Sequence, residues 1–252
     1  MSKTAVIIPA RWASTRFPGK PLFRLVGKPL LQHVWERSMR AKGVDTVIVA
    51  TDDMRIAEAA FAFGAEVALT SPKCVSGTDR CAEVAARLKT TKHVINVQGD
   101  EPMVDPRLIT RLANALREDP LLPMVTAAVP FAEGESIANP NAVKVVLNRL
   151  GNALYFSRSA IPFLRNPAPF PYLRHIGIYG YSTKFLLQFV GWPAGKLETA
   201  ESLEQLRALE NGAQIRVLKT RSFSVGVDTP EDARVAEKLL GDPKKAAKTS
   251  RL

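Results

Sequence analysis

The chain contains 252 residues, 46% of them hydrophobic, and carries a formal net charge of +11 with a pI of about 9.9. This length suits one globular domain, and no apolar run approaches the roughly 18 residues that cross a bilayer, which argues against an integral membrane protein. The N-terminus has no signal-peptide layout, so we expect a cytoplasmic protein that does not bind membranes.

The positive charge is spread along the chain, apart from a basic tail at residues 241–252. Because no nucleic-acid-binding motif accompanies it, we expect an enzyme for anionic small molecules and no nucleic-acid partner. A basic nucleic-acid-binding protein is the alternative of a different class. The two cysteines, Cys74 and Cys81, lack a CxxC spacing and clustered histidines, which argues against a zinc site or a disulfide framework.

Strand and helix patterns alternate through the first half of the chain. Short apolar runs predict strands at 4–8, 46–50, 66–69, 93–97 and 124–129, and periodic apolar stripes predict helices at 29–42, 54–63, 79–89 and 106–118. This βαβ alternation predicts an α/β fold with a doubly wound, mainly parallel sheet and right-handed crossovers.

The second half has a different pattern, in which strands follow one another without long helices between them. We predict strands at 143–147, 153–156, 176–181, 215–218 and 223–227, and helices at 183–190, 199–211 and 230–240. The last helix has Thr229 as its N-cap and Pro230 at its first position. Residues 1–240 are therefore predicted to form a single domain, with a core at 1–130 and 225–240 and a smaller mixed β lobe at about 130–225.

A cationic loop follows the first strand. It spans residues 11–20 and contains three cations and two hydroxyls: Arg11, Ser14, Thr15, Arg16 and Lys20. Open α/β sheets bind ligands at the carboxyl ends of their strands, so a loop of this composition suits the phosphates of a nucleoside triphosphate. Charge alone is equally compatible with a solvated basic turn.

Two aspartates occupy equivalent positions after apolar strands. Asp100 follows 94–97, Asp228 follows 225–227, and each precedes a proline by two residues. Carboxylates at such positions suit Mg²⁺, which takes one or two protein carboxylates together with phosphate oxygens. A turn aspartate at Asp100 and a helix cap at Asp228 are the structural alternatives.

Several common catalytic motifs are absent from the sequence. It contains no GxxxxGK[ST], no GxGxxG and no GxSxG, and the pair Gly19-Lys20 is followed by proline. These absences remove support for a P-loop ATPase, a dinucleotide-binding dehydrogenase and an α/β-hydrolase.

Segment 8–22 resembles the N-terminal signature of sugar nucleotidyltransferases and, more narrowly, of the 3-deoxy-manno-octulosonate (KDO) cytidylyltransferases. Further segments fit the same family in the same order: 76–80, 96–102, 139–146, 155–162, 173–181, 197–207 and 226–232. The Leu-Arg-His at 173–175 and the Leu-Glu-Gln-Leu-Arg at 203–207 are the most specific of these. The similarity extends over nearly the whole chain up to about residue 240.

The resemblance implies a fold of the nucleotide-diphospho-sugar transferase type. It implies an enzyme that activates KDO with CTP, giving CMP-KDO and pyrophosphate for lipopolysaccharide biosynthesis, with Mg²⁺ as cofactor. It makes Arg11, Lys20, Asp100 and Asp228 catalytic, with the two aspartates as the Mg²⁺ ligands. The residues that it places at the nucleotide are Arg11, Ser14, Arg16, Lys20, Ser76, Gly77, Thr78, Asp79, Arg80 and Gln98.

The resemblance also implies a sugar-acid pocket and a homodimer. The residues that it assigns to the sugar acid are Arg158, His175, Tyr179, Glu204 and Gln205. From the residues alone, a structural histidine is the preferred interpretation of His175, and a core aromatic is the alternative interpretation of Tyr179. An amino-KDO analogue or sialic acid is the alternative acceptor within the same reaction class.

Overall fold

The computed structural model describes residues 2–13, 17–166, 169–221 and 226–241. Ser14 and Arg16 of the predicted nucleotide loop lie outside these residues. The larger part of the strand predicted at 223–227 and the basic tail beyond residue 241 also lie outside them. Within the described residues, no helix has both the length and the apolar character needed to cross a membrane.

The described residues form eleven strands and eight α-helices. The strands are β1 (Lys3–Ala10), β2 (Arg24–Leu25), β3 (Lys28–Pro29), β4 (Thr46–Thr51), β5 (Glu66–Leu69), β6 (Thr91–Asn96), β7 (Met124–Pro130), β8 (Lys144–Leu147), β9 (Ala153–Ser157), β10 (Leu173–Ser182) and β11 (Ile215–Lys219). The helices are α1 (Leu30–Ser38), α2 (Met54–Ala62), α3 (Gly77–Arg87), α4 (Pro106–Glu118), α5 (Thr183–Gly191), α6 (Lys196–Glu201), α7 (Gln205–Glu210) and α8 (Pro230–Gly241). Most boundaries lie within two residues of the predicted ones, although α1 ends earlier and β10 begins earlier than predicted.

One mixed sheet forms the centre of the fold, with the strand order β11-β7-β10-β6-β1-β4-β5. β1 pairs in parallel with β4 and β6, β4 with β5, and β11 with β7, whereas β10 runs antiparallel between β6 and β7. This arrangement confirms the predicted doubly wound and mainly parallel sheet. No sheet boundary separates the predicted lobe from the core, because β10 and β11 lie within the main sheet and β8 and β9 extend from β10.

Helices cover both faces of the sheet because its central strands are apolar on both sides. Seven of the eight residues of β1 are buried. Val6 and Ile8 pack against the layer formed by α1, α2, α4 and α8, and Ala5 and Ile7 pack against the layer formed by α3, α5 and α7. A strand covered on both faces has a continuous apolar run, which is why β1, β4, β6 and β7 were predictable.

The prediction of one helix at 199–211 is wrong, because the chain forms two short helices, α6 and α7, in its place. Ser202 adopts a left-handed conformation with φ of 50° and ends α6. The Glu201 carboxylate accepts hydrogen bonds from the Ser157 hydroxyl at 2.6 Å and the Arg158 backbone N–H at 2.9 Å. These tertiary contacts hold the chain at the break, and Glu204 becomes the N-cap of α7.

Candidate active site

A cleft of about 400 Å³ lies at the carboxyl ends of β1 and β6. Its walls come from the loop after β1, the start of α3, the loop after β6 and the segment before α8. The residues predicted for the site that line this cleft are Arg11, Lys20, Gly77, Gln98, Asp100 and Asp228. The fold thus brings together four distant parts of the chain at the edge where open α/β sheets bind ligands.

Lys20 lies between the two predicted metal-binding aspartates. Its Nζ donates to Asp100 Oδ2 at 2.8 Å and to Asp228 Oδ1 at 3.1 Å, and its side chain is 12% exposed. The loop reaches this position through a tight turn at Gly19, whose φ is 70° and whose N–H donates to the Trp12 carbonyl. The ammonium group is therefore held by two carboxylates and is not part of a solvated turn.

Asp100 reaches the cleft because the chain after β6 passes very close to the end of β1. A Cβ added at Gly99 would lie 2.7 Å from the Pro9 carbonyl oxygen, so only glycine permits this approach. The Asp100 carbonyl accepts the Val227 N–H at 2.9 Å, which ties the segment before α8 to the same loop. These two contacts place both predicted metal ligands at one cleft.

The N-terminus of α8 is capped without the Asp228 carboxylate. Thr229 Oγ1 accepts the Asp232 N–H at 3.2 Å, and the Asp232 carboxylate accepts the Thr229 N–H at 2.9 Å, which is a capping box. Thr229 is thus the N-cap, as predicted. The Asp228 carboxylate contacts Lys20, and only the Asp228 backbone N–H contacts the cap, at 3.1 Å from Asp232 Oδ2.

The two aspartates supply a donor set that suits a hard divalent cation. Both carboxylates contact one ammonium nitrogen, so they face a single cation between them. Within residues 2–13, 17–166, 169–221 and 226–241, no group of three or more histidine, cysteine or acidic side chains is placed to hold a metal ion. Mg²⁺ fits such a two-carboxylate site because it keeps several waters and completes its shell with substrate phosphate oxygens.

The predicted nucleotide motif forms the N-terminus of α3. Ser76 is the N-cap: its hydroxyl accepts the Asp79 N–H at 3.1 Å, and the Asp79 carboxylate accepts the Ser76 N–H at 2.9 Å. Gly77 lines the cleft, where the start of a helix favours an anion. Asp79 therefore caps the helix, and its contact with a nucleotide stays a prediction.

Arg80 is buried and is not among the residues that line the cleft. One of its Nη atoms lies 3.2 Å from the Asp52 carboxylate, and the other donates to the Thr70 hydroxyl. A buried charge requires such partners, so Arg80 has a structural role here and its nucleotide contact stays a prediction. Asp52 and Thr70 are not among the residues predicted for the site.

Asn96 is a second polar residue that sequence reasoning missed. Its side chain is fully buried, its Oδ1 accepts from Gln98 Nε2 at 3.3 Å, and its Nδ2 lies 3.5 Å from Thr78 Oγ1. It links Gln98, which is predicted to lie at the nucleotide, to the start of α3. The available signal was a single amide within the apolar run 94–97, because buried amides persist only where they find partners.

The residues predicted for the sugar acid lie on β10, at the end of β9 and at the start of α7. His175 and Tyr179 are neighbours on β10, with ring centroids 5.4 Å apart. The Glu204 carboxylate accepts hydrogen bonds from Ser76 Oγ at 2.9 Å and Thr78 Oγ1 at 2.6 Å. The predicted acceptor residues and the predicted nucleotide motif are therefore in direct contact.

Arg158 and Gln205 differ in the number of hydrogen bonds that their side-chain nitrogens make. The Arg158 guanidinium donates to three backbone carbonyls: Glu201 (2.6 Å), Pro140 (3.0 Å) and Ser202 (3.2 Å). Since guanidinium has five N–H donors, two remain for another group. Gln205 is 4% exposed and its Nε2 has no hydrogen-bond partner. Both assignments to the sugar acid stay predictions.

A bulge in β10 determines how His175 is presented. The register of β10 against β7 shifts between Ile176 and Tyr179. Thr126 is fully buried, donates its hydroxyl to the Ile178 carbonyl at 2.8 Å and lies 2.9 Å from His175 Nε2. A hydroxyl has a single proton, and the Thr126 hydroxyl directs its proton to the Ile178 carbonyl. The His175 Nε2 then donates to the Thr126 oxygen, which leaves Nδ1 of the imidazole as an acceptor.

His175 should make the folded protein sensitive to acid. Burial lowers the pKa of His175 to about 3, whereas an unfolded histidine titrates near pH 6.5. The unfolded chain therefore binds a proton that the folded chain excludes, and stability falls as the pH drops from about 6.5 toward 3. We expect His175→Gln to remove this loss, which amounts to at most about 1.4 kcal/mol per pH unit.

Urea unfolding at about pH 7 and about pH 5 measures the effect as the change in the free energy of unfolding. His33→Gln is the matched control, because His33 lies on α1 and bonds to the Leu25 carbonyl, away from the cleft. The same pH dependence in wild type and His175→Gln would show that His175 does not exclude the proton.

The chain matches the model of the Cytidylyltransferase family over residues 5–215. A 3-deoxy-manno-octulosonate cytidylyltransferase from Syntrophotalea carbinolica is 51% identical over 251 residues, which cover 96% of this chain and 100% of the relative. The Geobacter sulfurreducens protein of the same name is 48% identical over 245 residues, which cover 92% of this chain and 98% of the relative.

Solved structures show the same similarity. A CMP:2-keto-3-deoxy-manno-octonic acid synthetase complexed with CTP matches with a TM-score of 0.91 and 44% identity, covering 95% of this chain and 99% of that one. A cytidylyltransferase from Leptospira borgpetersenii matches with a TM-score of 0.68 and 15% identity, covering 99% of this chain and 92% of that one. At this low identity, the second match shows a shared fold only.

Proposed function

The chain belongs to the cytidylyltransferase family and, within it, to the 3-deoxy-manno-octulosonate cytidylyltransferases, and from that premise we propose that it transfers the cytidylyl group of CTP to KDO. The products are CMP-KDO, which serves lipopolysaccharide biosynthesis, and pyrophosphate. The reaction joins two anions at one phosphorus, so the protein has to position them and balance their charge. The observation that carries the proposal is the cleft in which Lys20, Asp100 and Asp228 converge.

The nucleotide side of the cleft offers positive groups to the triphosphate. Arg11 lines the cleft with a planar guanidinium suited to bidentate phosphate contacts, and Lys20 supplies a compact point charge. The start of α3 at Gly77 adds the favourable end of a helix dipole. These groups hold the phosphate oxygens while the anomeric hydroxyl of the acceptor attacks the α-phosphorus and pyrophosphate leaves.

Asp100 and Asp228 are the residues that would hold Mg²⁺. When bound, the cation neutralises phosphate charge and lowers the pKa of a coordinated hydroxyl. Lys20 keeps the two carboxylates facing one another because it donates to both. The same residue is thus a counter-charge for the carboxylates and a donor for the phosphates.

The acceptor side supplies hydrogen-bonding groups for a hydroxyl-rich acid. His175 presents Nδ1 as an acceptor, and the Glu204 carboxylate accepts from hydroxyls. Arg158 retains two N–H donors that suit a carboxylate. This combination of one cation and several acceptors matches a sugar acid better than a neutral sugar.

The purified chain with CTP, Mg²⁺ and KDO should form CMP-KDO and release one pyrophosphate for each molecule formed, and chelation of the divalent cation should stop the reaction. An amino-KDO analogue and sialic acid should be used less well, as judged by kcat/KM. A higher kcat/KM for either would identify it as the acceptor. Failure to release pyrophosphate with all three, together with salt-sensitive binding of a polynucleotide, would favour the nucleic-acid-binding alternative.

The proposal includes a homodimer in the cytoplasm. Family resemblance supports the homodimer, whereas the cytoplasm is the expectation drawn from the sequence. Sedimentation of the purified chain, whose protomer mass is 27.6 kDa, tests the dimer.

A further inference from the structure

Glu204 connects two sequence motifs that are far apart in the chain. Its Oε1 accepts from Ser76 Oγ at 2.9 Å and its Oε2 accepts from Thr78 Oγ1 at 2.6 Å. The predicted nucleotide motif, residues 76–80, has two hydroxyl side chains. Both therefore donate to a residue that is predicted to bind the acceptor. A carboxylate can only accept, so each hydroxyl proton points at Glu204.

Thr78 is poorly placed to contact a nucleotide with its side chain. It is 3% exposed and is not among the residues that line the cleft. Its hydroxyl oxygen lies 3.5 Å from Asn96 Nδ2, and its proton is directed to Glu204. The Thr78 hydroxyl therefore makes its hydrogen bonds to other side chains of the protein.

Ser76 has a second role that separates it from Thr78. Its hydroxyl accepts the Asp79 N–H at 3.1 Å as the N-cap of α3, besides donating to Glu204. Removal of this hydroxyl would weaken the helix start as well as the contact with Glu204. Thr78 is the cleaner probe, because its hydroxyl caps no helix.

The surroundings of Glu204 make its orientation depend on these donors. Burial raises the pKa of Glu204, while the hydrogen bonds from Thr78 and Ser76 favour its charged form. Arg207 lies 3.9 Å away but is bonded to both oxygens of Glu198, at 2.8 and 2.6 Å. The hydroxyls are therefore the close partners that hold the carboxylate in one direction.

We propose that Thr78 is a positioning residue for the acceptor: it orients the Glu204 carboxylate, which in turn accepts a hydroxyl of the sugar acid. Each carboxylate oxygen has two acceptor sites, so one remains on Oε2 after Thr78 has donated. This inference rests on the proposed cytidylyl transfer to KDO. It assigns the Thr78 hydroxyl to acceptor binding, whereas the family resemblance placed Thr78 at the nucleotide.

Thr78→Val keeps the shape of the side chain and removes its hydroxyl. We expect the KM for KDO to rise about tenfold, since hydrogen bonds to charged groups are among the stronger ones. The Kd for CTP, measured by calorimetry without acceptor, should not change, and Thr78→Ser should restore the KM. The matched control is Thr110→Val on α4, whose hydroxyl bonds to the Pro106 carbonyl outside the cleft.

A double-mutant cycle with Glu204→Gln tests that Thr78 acts through Glu204. We expect the double variant to have the same KM for KDO as Glu204→Gln alone. Additive effects, a changed Kd for CTP with an unchanged KM for KDO, or no rescue by Thr78→Ser would overturn the inference. If Thr78→Val does not fold, Thr78→Ala, which also lacks the hydroxyl, takes its place in the cycle with the same expected KM for KDO and the same unchanged Kd for CTP. A wild-type chain that releases no pyrophosphate with KDO would overturn the proposed function instead.

Discussion

Asp100→Asn should lower kcat for CTP-dependent pyrophosphate release by about 10²–10³-fold. The substitution keeps the size of the side chain and removes a charge that we propose holds Mg²⁺ against the phosphates. The fold should persist, because Lys20 keeps its 3.1 Å contact with Asp228 and the backbone carbonyl of residue 100 still accepts the Val227 N–H. The measurement is kcat at saturating CTP, KDO and Mg²⁺, and we expect Asp228→Asn to behave alike.

Glu101→Gln is the matched control for the loss of charge. It neutralises a carboxylate one position further along the same loop, and Glu101 is not among the cleft-lining residues. Its kcat should stay within about twofold of wild type, the usual range for substitutions outside a site. An unchanged kcat in Asp100→Asn would show that this aspartate has no role in the reaction. An equal loss of kcat in Glu101→Gln would show that the effect comes from the net charge of the loop and not from Asp100 itself.

Lys20→Met should lower kcat/KM for CTP by about 10²-fold. Methionine keeps much of the length and the apolar stem of lysine but lacks its charge and its N–H donors. The triphosphate then loses a counter-charge, and the two aspartates lose the ammonium group that bonds to both at 2.8 and 3.1 Å. The KM for KDO should change much less than kcat/KM for CTP, which initial-rate measurements with each substrate varied in turn will separate.

Lys28→Met controls for the loss of one lysine from the same part of the chain. Lys28 pairs with Glu36 at 2.7 Å and is 47% exposed, so we expect it to contribute little. Lys20→Arg retains the charge in a planar group and should keep part of the activity. Equal kcat/KM values for CTP in Lys20→Met and Lys28→Met would favour the alternative that the cationic loop is a solvated turn.

Helix α4 illustrates which structural features can be read from the sequence. The Asp105 side chain accepts the Arg107 N–H, and Pro106 occupies the first turn. These start signals act within a few residues, and the apolar stripe that follows repeats with the helical period, so both ends of the helix agree with the prediction. The strands β1, β4, β6 and β7 were predictable because two buried faces produce a nearly continuous apolar run.

The helices α6 and α7 show where local patterns fail. Leu203 and Leu206 are buried as a continuous helix would require, yet the chain is broken at Ser202. No glycine or proline stands at the break. The left-handed residue persists next to contacts between Glu201 and the end of β9, which belong to another part of the chain.

The α/β class, the positions of most strands and helices, and the chemical types gathered at the strand ends could all be predicted before the fold was known. This is possible because backbone conformation and burial depend on neighbouring residues and on the period of apolar side chains. The sequence also led to Asp100 and Lys20 as members of one site, because the carboxyl ends of parallel strands meet at one edge.

Which side chains are partners became known from the three-dimensional fold. Lys20 bonds to Asp228, Arg80 to Asp52, and Glu204 to Thr78, and none of these pairs follows from local spacing. Such contacts depend on how the crossovers pack and on where β10 lies between β6 and β7. A sequence pattern describes residues within a few positions of each other, whereas a hydrogen bond between side chains requires atoms to be within about 3 Å in space.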